Sequence, residues 1–170
     1  MKERGFYMKD NIARKFKWSD FSSLQFEKYA SHYIQMNFIA AHCAVYEDTG
    51  GSRGVSFVVK NEKGQYVDVY LATVYIEKTN YVAIPKYYWD KELRENLYVA
   101  LVLFMEEREP IFYLIPSIVW RTPNELFTDS ADYSRNKPSW GINISKNTIP
   151  ILAERYWFEN IMLNRKSGEN

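Results

Sequence analysis

Two long apolar runs, LYVALVLFM and IFYLIP, constrain the fold of this chain more than any other feature. The charged turn EEREP separates them, and each run is far shorter than the roughly 20 apolar residues that span a bilayer. Near-continuous apolar character over this length is typical of strands buried on both faces. We therefore expect two adjacent central strands in a sheet covered on each side, and no association with a membrane.

A helix and several shorter strands are predicted around these runs. Ser22 and Gln25 have the spacing of a capping box, and apolar residues recur at helical intervals after them, which predicts a helix over residues 21–37. A last helix should begin at Asn147 or Thr148, after a polar loop over residues 122–139. This order predicts an α/β fold with a mixed central sheet and flanking helices. The other strand candidates are AHCAVY, VSFVVK, QYVDVYLATVY, YVAIP and GINIS, with the turn NEKG closing a hairpin between the second and third.

The 170 residues fit one domain, which we expect to span residues 19–160 between a basic N-terminal arm (1–18) and a C-terminal tail (161–170). Residues 1–17 contain six basic and two acidic side chains, a net charge of +4 in a chain whose total is +1. Such an arm either contacts phosphates, here through Lys15 and Lys17, or is a solvated terminus. No apolar stretch follows these basic residues, so no secretory leader is predicted and a cytoplasmic location is expected.

The sequence lacks the signatures of the common cofactor and metal sites. Cys43 is the only cysteine, which rules out an internal disulfide and a cysteine-rich zinc site. No glycine-rich nucleotide loop, zinc-protease helix or hydrolase nucleophile elbow is present, so we expect no bound cofactor. Aromatic residues make up 17% of the chain, an excess that fits either sheet packing or a surface on which bases or partner side chains stack.

Several blocks, taken in order, resemble a known group of nuclease-like proteins. They are FEKYASHYIQM, TGGSRGVSFVVKNEKGQYVDVYLATVY, NYVAIPK, LYVALVLF, FYLIPSIVW and PSWGINISK. Their order resembles the PD-(D/E)xK, or restriction-endonuclease-like, superfamily, and more narrowly a bacterial family of unknown function within it. The resemblance covers residues 21–159 and implies a restriction-endonuclease-like core.

The resemblance also indicates where the catalytic motif of the superfamily would fall. Its metal-binding Asp corresponds to Ser56, its Glu or Gln to Tyr70, and its Lys to Ala72. In the superfamily, the metal activates the attacking water and neutralises charge on the phosphodiester. Ser, Tyr and Ala supply neither the metal ligands nor the ammonium group, so the resemblance implies a fold without nuclease activity. Tyr70 is then either an ordinary strand residue or a ring that fills the former cleft.

Three charged residues define an alternative in which catalysis has moved to other positions. Asp68 shares a strand face with Tyr70, Lys60 shares one with Ser56, and Glu27 lies where the opening helix of the family often has an acid. If these groups have taken over catalysis, the protein is an active endonuclease that needs Mg²⁺. If they have not, Lys60 and Asp68 are expected to form a cross-strand surface ion pair.

Trp140, in the block PSWGINISK, is either part of a cleft-lining loop that contacts nucleic acid or a turn residue that caps the core. Three functions stay open at this point. The first is a non-catalytic nuclease-like domain that binds nucleic acid or a protein partner, with restriction or defence as the context suggested by fold analogy. The second is the relocated Mg²⁺-dependent endonuclease. The third is an immunity-type module for protein–protein interaction, and each function is compatible with a homo-oligomer.

Overall fold

The computed structural model describes residues 16–48, 54–131 and 137–161. Within these ranges, no helix combines the length and apolar composition that crossing a bilayer requires. Short 3₁₀ helices cover Trp18–Asp20, Lys86–Trp89 and Ser117–Arg121. The helices and strands are α1 (Ser23–Ala40), β1 (Ala44–Glu47), β2 (Phe57–Lys60), β3 (Tyr66–Tyr75), β4 (Tyr81–Pro85), β5 (Leu97–Phe104), β6 (Ile111–Pro116), β7 (Phe127–Ser130), β8 (Ser139–Asn143) and α2 (Thr148–Tyr156).

The strands form two sheets. Five of them form a mixed sheet in the order β1-β2-β3-β5-β6, in which β3 and β5 are parallel and the other neighbours are antiparallel. The other three form an antiparallel sheet in the order β4-β8-β7. The chain is thus a mixed α/β protein, as its pattern of elements predicts. It passes from the first sheet to the second between β3 and β4 and returns to the first at β5.

The five-stranded sheet is the middle layer of the molecule and is covered on both faces. Helix α1 lies on one face and buries Phe26, Ala30, Ile34 and Phe38 against it. The three-stranded sheet and α2 lie on the other face. Alternate residues of β5 belong to the two core clusters, and all of its residues except Tyr98 are buried. The predicted burial of this apolar run on both faces is therefore confirmed.

Strand β6 is also buried along most of its length, but it lies at the edge of the sheet and not in the predicted central position. The segment after α2 covers part of its outer side, where Trp157 forms an antiparallel bridge with Tyr113. An apolar edge strand is tolerated when another segment covers it in this way.

Helix α1 begins at the predicted cap. Ser22 N–H donates to Gln25 Oε1 (2.8 Å), and Gln25 N–H donates to Ser22 Oγ (3.4 Å), which completes the capping box. The helix continues past its predicted end at residue 37 to Ala40. Phe38 is buried in the core, and its carbonyl accepts the Cys43 N–H (3.0 Å), so tertiary packing and a local hydrogen bond stabilise the last turn.

Strand β7 lies within residues 122–139, which the sequence predicts as a loop. The strand pairs with β8 along its whole length and buries Phe127. Only four residues long and mostly polar, it carries too little alternation for sequence periodicity to reveal it.

Two residues of the predicted arm pack in the core. Phe16 and Trp18, which the sequence places in the basic arm, are buried in the core. The Trp18 ring packs edge-on against Phe104 (centroids 4.9 Å), and its Nε1 donates to the Arg108 carbonyl (2.9 Å). A boundary at residue 18 therefore divides one core cluster. Residues 1–15 of the arm and 162–170 of the tail lie outside the described residues.

Candidate binding cleft

A cleft opens beside the N-terminal end of strand β2, where strand β3 continues past it. The two strands pair from the hairpin turn up to Phe57, which lies opposite Val69. Ser56 completes the ladder, because its N–H donates to the Val69 carbonyl (2.8 Å) and its Oγ accepts the Leu71 N–H (3.0 Å). Beyond Leu71, β3 runs on to Tyr75 beside β5, and no strand in the described ranges pairs with its other side.

The cleft beside this free edge has a volume of about 990 Å³, at the upper end of the range for pockets that bind small molecules. Its walls come from the start of α1, the residues before β2, strands β3 and β4, and the 3₁₀ helix after β4. Four residues that the sequence analysis singles out border it: Glu27, Ser56, Tyr70 and Ala72. The three motif positions and the acid of α1 therefore belong to one site.

The three motif positions present little reactive chemistry to this cleft. The Ser56 hydroxyl is engaged by the backbone N–H that it caps. Ala72 offers only a methyl group and is buried. The Tyr70 ring packs against Tyr88 (centroids 6.0 Å) and Trp89 (5.7 Å), so it forms part of the wall. Of its two predicted roles, Tyr70 has that of a strand residue, because the cleft beside it stays open.

The environment of Tyr70 keeps its phenol protonated. Burial is the main factor that raises the pKa of Tyr70 from 10.0 to about 12. Electrostatic interactions with Tyr88, Glu27 and Tyr87, in that order, raise it further. At neutral pH the side chain is therefore a neutral hydroxyl. It supplies neither the negative charge nor the lone-pair basicity that a metal ligand or a nucleophile requires.

The alternative catalytic residues do not come together. Asp68 forms an ion pair with Arg94 (Oδ2 to Nη2, 3.1 Å), and Lys60 Nζ lies 5.4 Å from the centroid of the Tyr66 ring. The register places Asp68 opposite Val58 and Lys60 opposite Tyr66. The predicted ion pair between Lys60 and Asp68 is therefore wrong, because Asp68 pairs with Arg94 instead.

Glu27 is the one member of that alternative set that borders the cleft. In the part of the chain that the structure describes, no three His, Cys, Asp or Glu side chains gather into a group that could hold a metal ion. Since Mg²⁺ prefers several oxygen ligands in an octahedral arrangement, a single carboxylate beside a serine, a neutral tyrosine and an alanine does not fit this metal.

Two of the residues predicted to contact nucleic acid, Lys17 and Trp140, do not line the cleft. Trp140 is only 2% exposed and stacks on Trp89 (centroids 5.0 Å), so its ring belongs to the core and presents no open face to a ligand. Alternation along β8 directs its side chain between the two sheets. Lys17 is paired with Asp20 (Nζ to Oδ2, 3.1 Å), and Lys15 lies outside the described residues.

Two exposed tyrosines line the cleft, and the sequence analysis did not single them out. Tyr81 on β4 is 39% exposed, and Tyr87 in the following 3₁₀ helix is 41% exposed. The Tyr87 ring packs edge-on against Tyr88 (centroids 4.8 Å), and Lys137 Nζ lies 5.2 Å from the Tyr87 centroid. The tyrosine excess was the only signal of such a surface, because packing between strands decides which rings stay exposed.

The Tyr81 ring is held against the outer face of the three-stranded sheet. Its hydroxyl lies 2.9 Å from Thr128 Oγ1 on β7, and a Cβ at Gly141 on β8 would lie 1.9 Å from the same hydroxyl oxygen. The glycine therefore makes room for the ring, an arrangement in which an aromatic side chain covers a glycine of a sheet. The uncovered part of the ring faces the cleft, where Tyr81 is one of the lining residues.

The sequence matches no protein-family model, and no curated protein is similar to it at a significant level.

Proposed function

We propose that this chain is a non-catalytic, nuclease-like domain with a restriction-endonuclease-like core, and that it binds nucleic acid in the cleft beside β3. One observation carries the proposal. Ser56, Tyr70 and Ala72, the positions of the catalytic motif in the resemblance, border one cleft with Glu27 but carry a hydroxyl, a neutral phenol and a methyl group. A mixed sheet with α1 on one face is compatible with such a core.

The chemistry of the cleft favours binding over hydrolysis. Metal-assisted phosphodiester cleavage requires ligands that hold the ion and a group that positions the water. The Ser56 hydroxyl is committed to a backbone hydrogen bond, and Asp68, the nearest carboxylate along β3, is paired with Arg94. Among the residues that the structure describes, no assembled set of metal ligands supports the relocated endonuclease.

The exposed aromatic rings and one cation of the cleft support nucleic acid as the ligand. Aromatic side chains stack on bases of any sequence, and a lysine beside such a ring contacts the phosphate backbone. Tyr81, Tyr87 and Lys137 provide these groups on neighbouring parts of the wall. A protein partner, the other ligand class that the fold analogy suggests, is an outcome of the experiment below.

Fluorescence anisotropy with labelled DNA and RNA oligonucleotides tests the proposal. In EDTA and about 50 mM salt, we expect binding that weakens steeply as salt is raised. Incubation with Mg²⁺ or Mn²⁺ should leave every oligonucleotide intact. Reproducible cleavage that Asp68→Ala or Glu27→Gln abolishes would establish the endonuclease instead. Absence of binding to every oligonucleotide at low salt would leave protein–protein interaction as the function.

Glu27→Gln separates the two roles of this cleft by the sign of its effect. If the cleft binds nucleic acid without metal, Glu27 repels phosphates, and its neutralisation should tighten binding by up to about 5-fold. If Glu27 holds a catalytic metal, the same change should abolish cleavage and weaken metal-dependent binding. Glu62→Gln, in the exposed turn between β2 and β3, is the matched control for removal of one negative charge. Equal affinities of Glu27→Gln and wild type would place the nucleic acid elsewhere.

A further inference from the structure

We infer that the ligand of the cleft is single-stranded nucleic acid, whose unpaired bases stack on Tyr81 and Tyr87 while Lys137 contacts a phosphate. The inference rests on the proposed function and adds the class of nucleic acid. Tyr81 and Tyr87 border the same cleft, and about two fifths of each side chain is exposed. A buried ring cannot stack on a ligand, and an unsupported ring loses conformational entropy when it does.

Each of the two rings is held in place before any ligand arrives. The hydroxyl of Tyr81 meets Thr128 Oγ1 (2.9 Å), and its ring covers Gly141. Tyr87 is fixed edge-on against Tyr88 (centroids 4.8 Å). Rings that are already oriented lose little freedom when a base stacks on them, which is the physical requirement for a stacking platform.

The position of Lys137 suits a nucleotide and not a flat neutral ligand. Its ammonium nitrogen lies 5.2 Å from the Tyr87 centroid, so a base on that ring would place its phosphate within reach of a cation. Among the described residues that line the cleft, Glu27 is the only negatively charged one, and it belongs to α1 and not to the segments that carry the two rings. The wall formed by Tyr81, Tyr87 and Lys137 is therefore aromatic and positive.

The backbone positions of the two tyrosines suit a strand of several nucleotides with its bases unpaired. Tyr81 begins β4 and Tyr87 follows its end, so their backbones stand at opposite ends of the strand, which is about 13 Å long from Tyr81 to Pro85. The bases of a duplex are stacked on each other and paired, and their faces are not available to side chains. A free strand offers one face to each ring, so the two tyrosines select for unpaired bases.

Anisotropy titrations with a labelled single strand and with its duplex, as DNA and as RNA, test the inference. We expect the single strand to bind at least about 10-fold more tightly than the duplex, and Tyr87→Leu and Tyr81→Leu each to weaken it about 5- to 150-fold. Leucine keeps the apolar bulk and removes the ring face. If Tyr81→Leu disturbs the small sheet, Tyr87→Leu still tests the stacking, because it lies outside the strands.

Tyr66→Leu is the matched control for both variants. Tyr66 is 53% exposed, and Lys60 Nζ lies 5.4 Å from its ring, so it has the same pair of groups, but it begins β3 and does not line the cleft. The slope of log affinity against log salt is negative, and Lys137→Gln should make it shallower by about 0.7. Lys60→Gln should leave the slope unchanged.

The outcomes separate the inference from the proposed function. Preference for the single strand that Tyr87→Leu removes and Tyr66→Leu leaves intact supports both. Equal binding of single strand and duplex, unchanged in Tyr81→Leu and Tyr87→Leu, would overturn the inference and leave nucleic-acid binding in place. Absence of binding to any of the four oligonucleotides would overturn both.

Discussion

Ser56 and Tyr70 border the cleft, yet each already takes part in holding the sheet together. The Ser56 hydroxyl accepts a backbone N–H at the point where β2 leaves β3, so this side chain closes the end of the ladder. Tyr70 packs its ring on Tyr88 and Trp89, and burial holds its phenol neutral. At the scale of single residues, the contacts of Ser56 and Tyr70 therefore give both side chains a structural role in the sheet.

The raised pKa of Tyr70 predicts a loss of stability in alkali. Its pKa is about 12 in the folded protein against 10.0 as the reference, so the unfolded chain releases this proton first. The contribution is fully present below pH 10 and is lost as pH rises from about 10 towards 12. We expect Tyr70→Phe to show a shallower fall of the urea midpoint over this range than wild type.

Tyr75 also contributes to the loss of stability in alkali, so Tyr70→Phe removes only part of that loss. Burial and a hydrogen bond to Glu106 (2.9 Å) also raise the pKa of Tyr75 to about 12, so part of the alkaline loss persists in Tyr70→Phe. Tyr66→Phe, which removes the hydroxyl of an exposed ring, is the control. An alkaline fall as steep in Tyr70→Phe as in wild type would contradict the prediction.

Elements form the cleft by ending at different places. The pairing of β3 with β2 extends only to Val69, opposite the first residue of β2, while β3 continues to Tyr75. Strand β4 pairs with β8 in the other sheet. The free edge of β3 and the wall of β4 thus lie on two different sheets of the same molecule. A strand edge that stays unpaired inside a cleft is protected from pairing with other chains by the elements around it.

Gly141→Ala tests how the small sheet supports Tyr81. A Cβ at position 141 would lie 1.9 Å from the Tyr81 hydroxyl and 2.2 Å from Thr128 Oγ1, so the ring must move away. We expect a loss of about 1–3 kcal/mol in the free energy of unfolding, measured by urea denaturation. In the Tyr81→Ala background the same substitution should cost at least about 0.5 kcal/mol less, because the nearer of the two clashing groups is gone. Equal costs in the two backgrounds would show that Tyr81 does not decide the effect.

The whole molecule includes the segment before α1 in its core. Trp18 is fully buried between α1 and β5, where its ring meets Phe21, Tyr29 and Phe104 at centroid distances of 4.9–5.1 Å. A second anchor lies nearby, because Glu106 accepts hydrogen bonds from the Ser19 backbone and hydroxyl. Trp18 and Ser19 are therefore anchored to the turn that follows β5.

Trp18→Ala should cost about 3–5 kcal/mol in the free energy of unfolding, because it leaves a large cavity and an unpaired Arg108 carbonyl. Trp157→Ala is the matched control, since that ring is 44% exposed and its pairing with β6 uses the backbone. Urea denaturation followed by far-UV circular dichroism measures both. Similar losses in the two variants would show that Trp18 is not a main contributor to the core.

The sequence by itself determined the mixed α/β class, the cap of α1, the hairpin of β2 and β3, and the burial of β5, because each depends on local periodicity or on a short-range hydrogen bond. The assignment of Ser56, Tyr70 and Ala72 to the positions of a catalytic motif rests on the resemblance and stays a prediction. The tertiary structure alone decided that Asp68 pairs with Arg94, that Trp140 is buried, and that Tyr81 and Tyr87 are exposed at the cleft. Those outcomes depend on which strands stack and where each one ends, and contacts between residues far apart in the chain leave no periodic trace in the sequence.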